Sequence, residues 1–347
     1  MKTVLVARLD SDGDVLLAGP AVRAVAASAD RVVLLCGPRG RSAAELLPGA
    51  DEVLTWHCPW IDAEPLPVDR RLVEGLVDEV ATRRVDEALV LTSYHQSPLP
   101  LALLLRLAGV RRIAAVSEDY PGSLLDLRHR LPECGLHEVE RMLSLADAAG
   151  CPLPAGDDGS LAVRGPLPDT WPLTGADPYV VVHPGASVPA RAPSPARAAA
   201  MVDALVTAGR RVVVTGGPAE RSLTAAVAGA PRQGAVVDLG GGTDLAGLAG
   251  VLQRADAVVV GNTGPAHLAA AVGTPVVSLF APTVPVERWR PWRVPHVVLG
   301  DPGAACAGTR ARSCPVPGHP CLDGVPVEDV VAAVTALAAP RLVGAAR

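Results

Sequence analysis

The sequence predicts an α/β protein made of two doubly wound domains, each with a parallel sheet flanked by helices. Short apolar runs alternate with longer amphipathic stretches along the chain, which is the pattern of βαβ units. The 347 residues are enough for two such domains, each with its own core. Residues 164–178 are rich in Pro, Gly and Asp and lack periodicity, so they are typical of a linker. The two sheets are therefore expected to face each other across a cleft.

The predicted first domain covers residues 1–165. Its strands are the short apolar runs, because a strand buried on both faces of a parallel sheet is apolar throughout. Its helices are the longer amphipathic segments between those runs. In chain order, the predicted strands are 3–7, 31–36, 52–56, 88–92 and 112–116, and the predicted helices are 21–27, 71–83 and 101–107.

The predicted second domain covers residues 166–325 and repeats the alternation. The final segment, 326–347, contains a predicted helix over 326–338 that is a candidate to cross back to the first domain. The predicted strands of the second domain are 179–183, 211–215, 235–239, 257–260 and 276–280, and its predicted helices are 196–208, 220–228, 245–254 and 265–272.

Composition and charge exclude several classes of protein. The net charge is -5 and no long basic run compensates for it, which argues against a nucleic-acid binder. The apolar run at residues 1–7 is too short for a signal peptide, and no stretch reaches the roughly 18 apolar residues that span a bilayer. The seven cysteines are scattered, so a reducing cytoplasm is expected. The sequence neither supports nor excludes peripheral contact with a membrane.

The most specific single segment is a strand–turn–helix junction that starts at residue 257. Pro265 suits the first turn of a helix, because its fixed φ and missing N–H cost nothing there. Gly264 lets the backbone approach a ligand closely, and Thr263 places a hydroxyl beside the free amides of the turn. Such a junction favours a bound anion, because amides and helix dipole both attract negative charge. Taken alone, the segment is equally compatible with a capped turn that binds nothing.

Asp14 is the predicted general base. It follows the first strand and would lie at the start of a helix, where the dipole keeps a carboxylate ionised. Gly13 would form a tight turn that points Asp14 into the cleft. An ionised, positioned aspartate can deprotonate a hydroxyl nucleophile. The alternative is that Asp14 only caps the helix.

Two other loops after strands of the second domain supply further candidates. Ser187 and Arg191 follow the first strand, and a guanidinium in a small, turn-rich loop can grip a diphosphate. Gly216 and Glu220 follow the next strand, and Glu220 can accept hydrogen bonds from ribose hydroxyls or simply start a helix. No Gly-x-Gly-x-x-Gly follows the first strand of the chain, so an ordinary dinucleotide fold is not indicated.

The sequence predicts no metal site. The run Asp10-Ser11-Asp12 with Asp14 fails as an EF-hand, because position twelve of such a loop is Ala21 instead of glutamate. The pair Asp10 and Asp12 resembles the acidic pair of metal-dependent glycosyltransferases, but it lies too early in the chain. Cys306, Cys314 and Cys321, near His319, lack the close Cys-x-x-Cys pairs of structural zinc, so zinc or a disulfide is the less favoured interpretation.

Seven short segments occur in order along the chain, and their combination is far more specific than any of them alone. They are Gly13-Asp14, Pro20 within a helix, His137-Glu138-Val139-Glu140-Arg141, His183-Pro184-Gly185-Ala186-Ser187, Asn262-Thr263-Gly264-Pro265-Ala266-His267, Gly273-Thr274-Pro275 and Cys321-Leu322. Over nearly the whole chain they resemble the heptosyltransferases of glycosyltransferase family 9, which use ADP-heptose to extend lipopolysaccharide.

The resemblance implies a GT-B fold, a nucleotide-sugar donor and metal-independent inversion at the anomeric carbon. Asp14 coincides with the family's proposed catalytic base, Arg191 with a lysine near the donor phosphates, and Glu220 with a ribose-binding acid. The family aspartate is Asn262 here, and a family tryptophan is Ala192, which bears on the donor more than on the fold. The predicted donor-binding residues are Gly13, Ser187, Arg191, Gly216, Glu220, Asn262, Thr263, Gly264, Pro265 and His267.

The expected function is inverting transfer of a sugar, heptose from an ADP-linked donor, to a hydroxyl of a glycan, glycolipid or small-molecule acceptor. No cofactor and no metal are expected, and the family favours a monomer. Two alternatives stay open: a sugar-nucleotide epimerase on the same architecture, and a non-catalytic protein that binds nucleotide sugars.

Overall fold

The computed structural model describes residues 1–132, 135–230 and 234–338. The chain divides into two compact units, of which the first spans Met1–Arg164 and the second begins at Gly165. Each unit contains a six-stranded sheet in which all described strand pairs are parallel. The α/β class predicted from the sequence is therefore confirmed.

The sheet of the first unit has the strand order β3-β2-β1-β4-β5-β6. Its central strands are apolar and almost fully buried, as expected where helices cover both faces of a sheet. The weak edge strand β6 was not predicted, because its three residues are only half-buried and carry no apolar run. The strands are β1 Thr3–Arg8, β2 Arg31–Cys36, β3 Glu52–Thr55, β4 Glu87–Val90, β5 Arg112–Val116 and β6 Leu127–His129.

The helices of the first unit agree with the predicted ones except at the start of the chain and in two segments that were missed. The first helix begins at Asp12, whereas the prediction began at residue 21; residues 15–22 are all buried, so no polar stripe marks them as helical. The second and fifth helices were not predicted. The helices are α1 Asp12–Ala26, α2 Arg41–Leu46, α3 Arg70–Thr82, α4 Leu99–Leu107 and α5 Glu138–Ala148.

The sheet of the second unit has the equivalent order, β12-β11-β10-β7-β8-β9. The five predicted strands occur within one residue of their predicted bounds, and the edge strand β12 was missed because it is only half-buried. The strands are β7 Val180–His183, β8 Val212–Gly216, β9 Val236–Gly240, β10 Ala257–Gly261, β11 Val276–Leu279 and β12 His296–Leu299.

The helices of the second unit include three four-residue turns that were not predicted, one of them within the expected linker. The last helix packs against α7 and against strands β10, β11 and β12 of its own unit. Residues 339–347, the rest of the segment expected to cross back, lie outside the described residues. The helices are α6 Trp171–Thr174, α7 Pro195–Thr207, α8 Arg221–Ala228, α9 Leu245–Arg254, α10 Gly264–Ala271, α11 Val286–Trp289, α12 Pro320–Asp323 and α13 Val327–Leu337.

In both sheets the first strand of the unit is central, and the order in which later strands are added reverses beside it. This change lies between β1 and β4 in the first unit and between β7 and β10 in the second. Loops diverge at such a switch point and leave a crevice beyond the carboxyl ends of the two strands, where ligands of open α/β sheets bind. We call these two places the first and the second switch point.

Candidate active site

The first switch point is built around one buried arginine. Arg8 is the last residue of β1, and its side chain is 0% exposed. Its Nε lies 3.1 Å from Asp10 Oδ2, its Nη2 lies 3.0 Å from Asp14 Oδ1, and its Nη1 lies 3.7 Å from Glu138 Oε2. The Nη2 also donates a 2.8 Å hydrogen bond to Ser93 Oγ, beyond β4. One guanidinium thus connects three carboxylates.

These carboxylates determine the protonation of Arg8. Burial by itself lowers the pKa of a guanidinium, because a low-dielectric interior disfavours charge. The negative charges of Asp10, Asp14 and Glu138 outweigh that effect and raise the pKa of Arg8 above its ordinary value. The attraction is mutual, so Arg8 also favours the ionised form of the carboxylates.

Asp14 lies in the first turn of α1, as the sequence predicted. Ser11, and not Asp14, occupies the N-cap position of α1, and its side chain makes no capping hydrogen bond. Its Oδ1 accepts a hydrogen bond from Arg8, and its Oδ2 accepts one of 3.0 Å from Ser11 Oγ. The Asp14 side chain is 23% exposed, compared with 14% for Asp10 and 0% for Glu138. Asp14 is therefore the carboxylate of this group that solvent or a substrate reaches most easily.

Gly13 does not form the tight turn that the sequence analysis predicted. It is buried within the first turn of α1, because the helix already begins at Asp12. Helical geometry, and not a glycine turn, places Asp14 at the carboxyl end of β1.

Sequence reasoning missed Arg8, Ser93 and the role of Glu138. The segment from His137 to Arg141 was noticed only as a family motif, whereas the structure shows a capping box that starts α5: the Val139 N–H donates to His137 Nδ1, and the His137 N–H donates to Glu140 Oε2. This start places Glu138 inside the unit. The available signal was an arginine at the end of an otherwise apolar strand, since a buried charge needs a partner.

The second switch point presents the start of α10. Thr263 is the N-cap residue, Gly264 is the first helical residue, and Pro265 lies in the first turn, as predicted. All three are only half-buried, and the Thr263 side chain does not cap the helix. His267 is 5% exposed and lies inside the unit. The accessible part of this predicted anion site is therefore its first turn.

Asn262 has a structural task. Its Nδ2 donates a 3.2 Å hydrogen bond to the Ala281 carbonyl, and its Oδ1 accepts a 3.1 Å hydrogen bond from the Ala281 N–H. The side chain is 4% exposed. Asn262 thus clamps the loop after β10 to the loop after β11. An aspartate cannot donate the first of these bonds while it is ionised.

Glu220, in the loop after β8, lies close to His183 at the end of β7, with 3.9 Å between Glu220 Oε2 and His183 Nε2. The Gly217 N–H donates a 2.7 Å hydrogen bond to Glu220 Oε2, and His183 Nδ1 lies 2.9 Å from Thr215 Oγ1. A Cβ at residue 185 would collide with Glu220 Oε1, so Gly185 leaves the space for this carboxylate. Burial lowers the pKa of His183, although Glu220 opposes this.

The remaining predicted residues lie on the same loops. Gly216 is buried at the end of β8, and Ser187 is exposed. Arg191 is the last residue of a short 3₁₀ turn. Its carbonyl oxygen lies against Gly261, where a Cβ would collide with it. This contact places Arg191 beside the loop that leads into α10. Arg191 and the start of α10 are thus brought together, whereas Asn262 and His267 are buried and Glu220 binds the backbone.

Within the described ranges, no group of three or more His, Cys, Asp or Glu side chains is arranged to hold a metal ion. Cys306, Cys314 and Cys321 are free thiols, and burial, the largest cause, raises the pKa of Cys321 to about 11. The structure therefore gives no support to the zinc or disulfide alternative. None of the described helices is both long and apolar enough to cross a bilayer.

Comparison with known proteins finds relatives of this chain. The family model "Glycosyltransferase family 9 (heptosyltransferase)" matches residues 79–319. Lipopolysaccharide heptosyltransferase 3 of Escherichia coli (strain K12) is 32% identical over 174 residues, which are 47% of this chain and 49% of that protein. The match thus spans about half the length of that curated relative.

Solved structures of the same family share the fold. The glycosyl transferase family 9 protein of Veillonella parvula DSM 2008 has a TM-score of 0.74 at 19% identity and covers 97% of both chains. E. coli ADP-heptose lps heptosyltransferase II has a TM-score of 0.72 at 19% identity and covers 97% of this chain and 98% of its own. The predicted GT-B fold is confirmed.

Proposed function

Because this chain belongs to glycosyltransferase family 9, the heptosyltransferases, we propose that it transfers a sugar from a nucleoside-diphosphate donor to an acceptor hydroxyl. The names of two relatives, lipopolysaccharide heptosyltransferase 3 and ADP-heptose lps heptosyltransferase II, support an ADP-linked heptose as the donor. The proposed acceptor is a glycan, a glycolipid or a small metabolite used in building the cell envelope. The cytoplasmic location and the monomeric state stay predictions.

The observation that carries the proposal is the Asp14 carboxylate, held by two donors at the start of α1 and still 23% exposed. Asp14 takes the proton of the acceptor hydroxyl. The oxygen then bonds to the anomeric carbon as the bond from that carbon to the diphosphate breaks, so the configuration inverts and nucleoside diphosphate leaves. A general base of this kind typically contributes roughly 10²–10⁴-fold in rate.

The donor diphosphate is assigned to the second switch point. Arg191 and the first turn of α10, from Thr263 to Pro265, supply a guanidinium, a hydroxyl and the positive end of a helix dipole. These groups can stabilise the charge that develops on the leaving diphosphate, an effect worth about 3–4 kcal/mol for one well-placed donor. Asn262 and His267 support this arrangement from buried positions, whereas Gly13 is buried in the first turn of α1, next to Asp14.

We further propose that transfer needs neither a metal ion nor a cofactor, because Arg191 and the α10 amides can neutralise the leaving group. Activity measured before and after dialysis against EDTA tests this, with the metal content of the protein determined in parallel. Unchanged turnover is expected. Loss of turnover that Mg²⁺ or Mn²⁺ restores would contradict metal independence and leave the transferase assignment intact.

The transferase proposal is tested with Asp14→Asn. ADP release from ADP-heptose is measured over a panel of glycan, glycolipid and phenolic acceptors, and donor binding is measured by thermal shift. Asp12→Asn is the matched control: Asp12 lies in the same helical turn, but its carboxylate accepts a 3.0 Å hydrogen bond from the Ala43 N–H. We expect Asp14→Asn to lose transfer by at least about 10²-fold and to keep its thermal shift, and Asp12→Asn to retain both.

Normal turnover in Asp14→Asn would remove Asp14 from the role of base. Incubation with donor alone separates the alternative activities: an epimerised sugar nucleotide would indicate an epimerase. Binding without turnover across the whole panel would indicate a non-catalytic binding protein. Thermal shift with ADP-, GDP-, UDP- and dTDP-sugars identifies the nucleotide, since a ligand at about 100 times its Kd adds about 2.7 kcal/mol of stability.

A further inference from the structure

Two residues of the first switch point are fully buried although both have ionisable side chains. The side chains of Arg8 and Glu138 are both 0% exposed, so neither can reach a substrate from its position. Building the proposed role of Asp14 into this geometry, we propose that Arg8 and Glu138 are positioning residues: Arg8 orients the Asp14 carboxylate, and Glu138, acting through Arg8, adjusts the affinity of Asp14 for a proton.

The orientation of the Asp14 carboxylate depends on the hydrogen bonds that fix Arg8. Its Nη2 donates both to Asp14 Oδ1 at 3.0 Å and to Ser93 Oγ at 2.8 Å, so β1 and the loop after β4 fix the same nitrogen. Ser11 holds the other oxygen of Asp14 at 3.0 Å. A planar guanidinium with fixed neighbours leaves the carboxylate little rotational freedom. This is the preorganisation that a base needs in order to meet one hydroxyl.

The loop after β4 also fixes the third carboxylate. Gln96 Nε2 donates a 2.6 Å hydrogen bond to Asp10 Oδ1, and the Ser93 N–H donates a 3.0 Å hydrogen bond to Gln96 Oε1. Asp10 Oδ2 in turn faces Arg8 Nε. Each of the three nitrogens of the guanidinium therefore faces a different carboxylate.

The adjustment follows from the balance of charge. Alone with Asp14, Arg8 would strongly favour the ionised carboxylate and make it a weak base, because an opposite charge within about 4–6 Å stabilises the charged form. Glu138 and Asp10 compete for the same positive charge and repel the negative charge of Asp14. A base is most effective when its affinity for a proton matches the working pH. Glu138 is the least solvated of the competitors, so salt and water screen it least.

Other groups packed around this point also carry or can carry charge. Asp12 precedes Asp14 in α1, its pKa is raised by burial, and its carboxylate faces the Ala43 N–H. His137 caps α5, and Arg141 donates to the Thr92 carbonyl through its Nη1. The titratable or charged groups to be considered around Asp14 are therefore Arg8, Asp10, Asp12, His137, Glu138 and Arg141.

The test is a direct titration of Asp14. Protein labelled with ¹³C at the aspartate carboxyl carbons is titrated by NMR, and the Asp14 resonance is identified by its loss in Asp14→Asn. We expect Glu138→Gln to lower the titration midpoint of Asp14 and Arg8→Met to raise it, the latter by about 1–3 pH units. Glu140→Gln is the matched control: it removes a carboxylate from the same helix, but from an exposed position, and keeps the oxygen that accepts the His137 N–H. It should leave the midpoint unchanged.

The proposal is overturned if Glu138→Gln and Glu140→Gln give the same midpoint as the natural protein while both remain folded by thermal unfolding. If Arg8→Met does not fold, Arg8→Lys replaces it, and the comparison of Glu138→Gln with Glu140→Gln remains decisive. The titration requires no turnover. Loss of transfer in Asp14→Asn with unshifted midpoints would refute this inference alone, whereas shifted midpoints with full transfer in Asp14→Asn would refute the proposed base.

Discussion

At the first switch point the side chains that meet are charged, whereas at the second they are mostly neutral and bound to the backbone. Arg8, at the end of β1, faces three carboxylates, which come from the loop after β1, from α1 and from α5. The ends of β7 and β10 carry the Asn262–Ala281 clamp and the contact of His183 with Thr215. The two sheets have the same strand order, so topology determines where a crevice forms, and local residues determine its chemistry.

The difference fits the two roles proposed for these places. A proton acceptor requires a carboxylate whose orientation and charge are controlled, and the first switch point supplies both through buried ions. A diphosphate already carries its charge and requires donors that are open to it. The second switch point leaves the first turn of α10 accessible and ties down the loops around it with neutral hydrogen bonds.

The largest expected effect is a loss of stability when the buried arginine of the first switch point is removed. Arg8→Met removes the buried cation that three carboxylates face, and breaking a buried ion pair in this way costs about 3–5 kcal/mol. We expect that loss in urea unfolding at pH 7, with part of it recovered in the double variant Arg8→Met/Glu138→Gln. Arg31→Met is the control, since Arg31 is 34% exposed and pairs with Glu52 on the surface, where pairs contribute at most about 1 kcal/mol. Equal losses in the two single variants would contradict the special status of Arg8.

A smaller effect tests what the second switch point binds. Arg191→Ala should weaken the binding of ADP by about 10- to 150-fold, because a hydrogen bond to a charged group contributes about 1.5–3 kcal/mol. Isothermal titration calorimetry with ADP measures this, and Arg41→Ala, an exposed arginine paired with Glu45 in the first unit, is the control. Unchanged affinity in Arg191→Ala would count against its contact with the diphosphate.

The smallest expected effect tests whether the hydrogen bonds between Asn262 and Ala281 stabilise the fold. Asn262→Asp retains the acceptor for the Ala281 N–H and loses the donor to the Ala281 carbonyl, so the free energy of unfolding should fall by about 1–3 kcal/mol. Urea unfolding measures the loss. Unchanged stability together with altered ADP affinity would show instead that Asn262 acts on the ligand, as its place in the family motif first suggested.

Much of the second unit could be predicted because its signals are local. The apolar runs of β7, β8, β10 and β11 are continuous and are bounded by turn residues, and Pro265 marks the start of α10 within one residue. Edge strands such as β12 escaped prediction because half-burial leaves no apolar run. The start of α1 escaped because a helix buried on all sides lacks a polar stripe.

The sequence by itself determined the class of fold, the place of Asp14 just after the first strand and the strand–turn–helix form of the α10 junction. Each of these depends on neighbours in the chain: an apolar run, a strand that ends, a proline in a first turn. Only the tertiary structure decided that Arg8 and Glu138 meet, 130 positions apart in the chain, and that Asn262 closes on Ala281. Pairing of buried charges and amides depends on which loops a sheet brings to one edge, and the spacing of residues along the sequence does not determine which loops become neighbours.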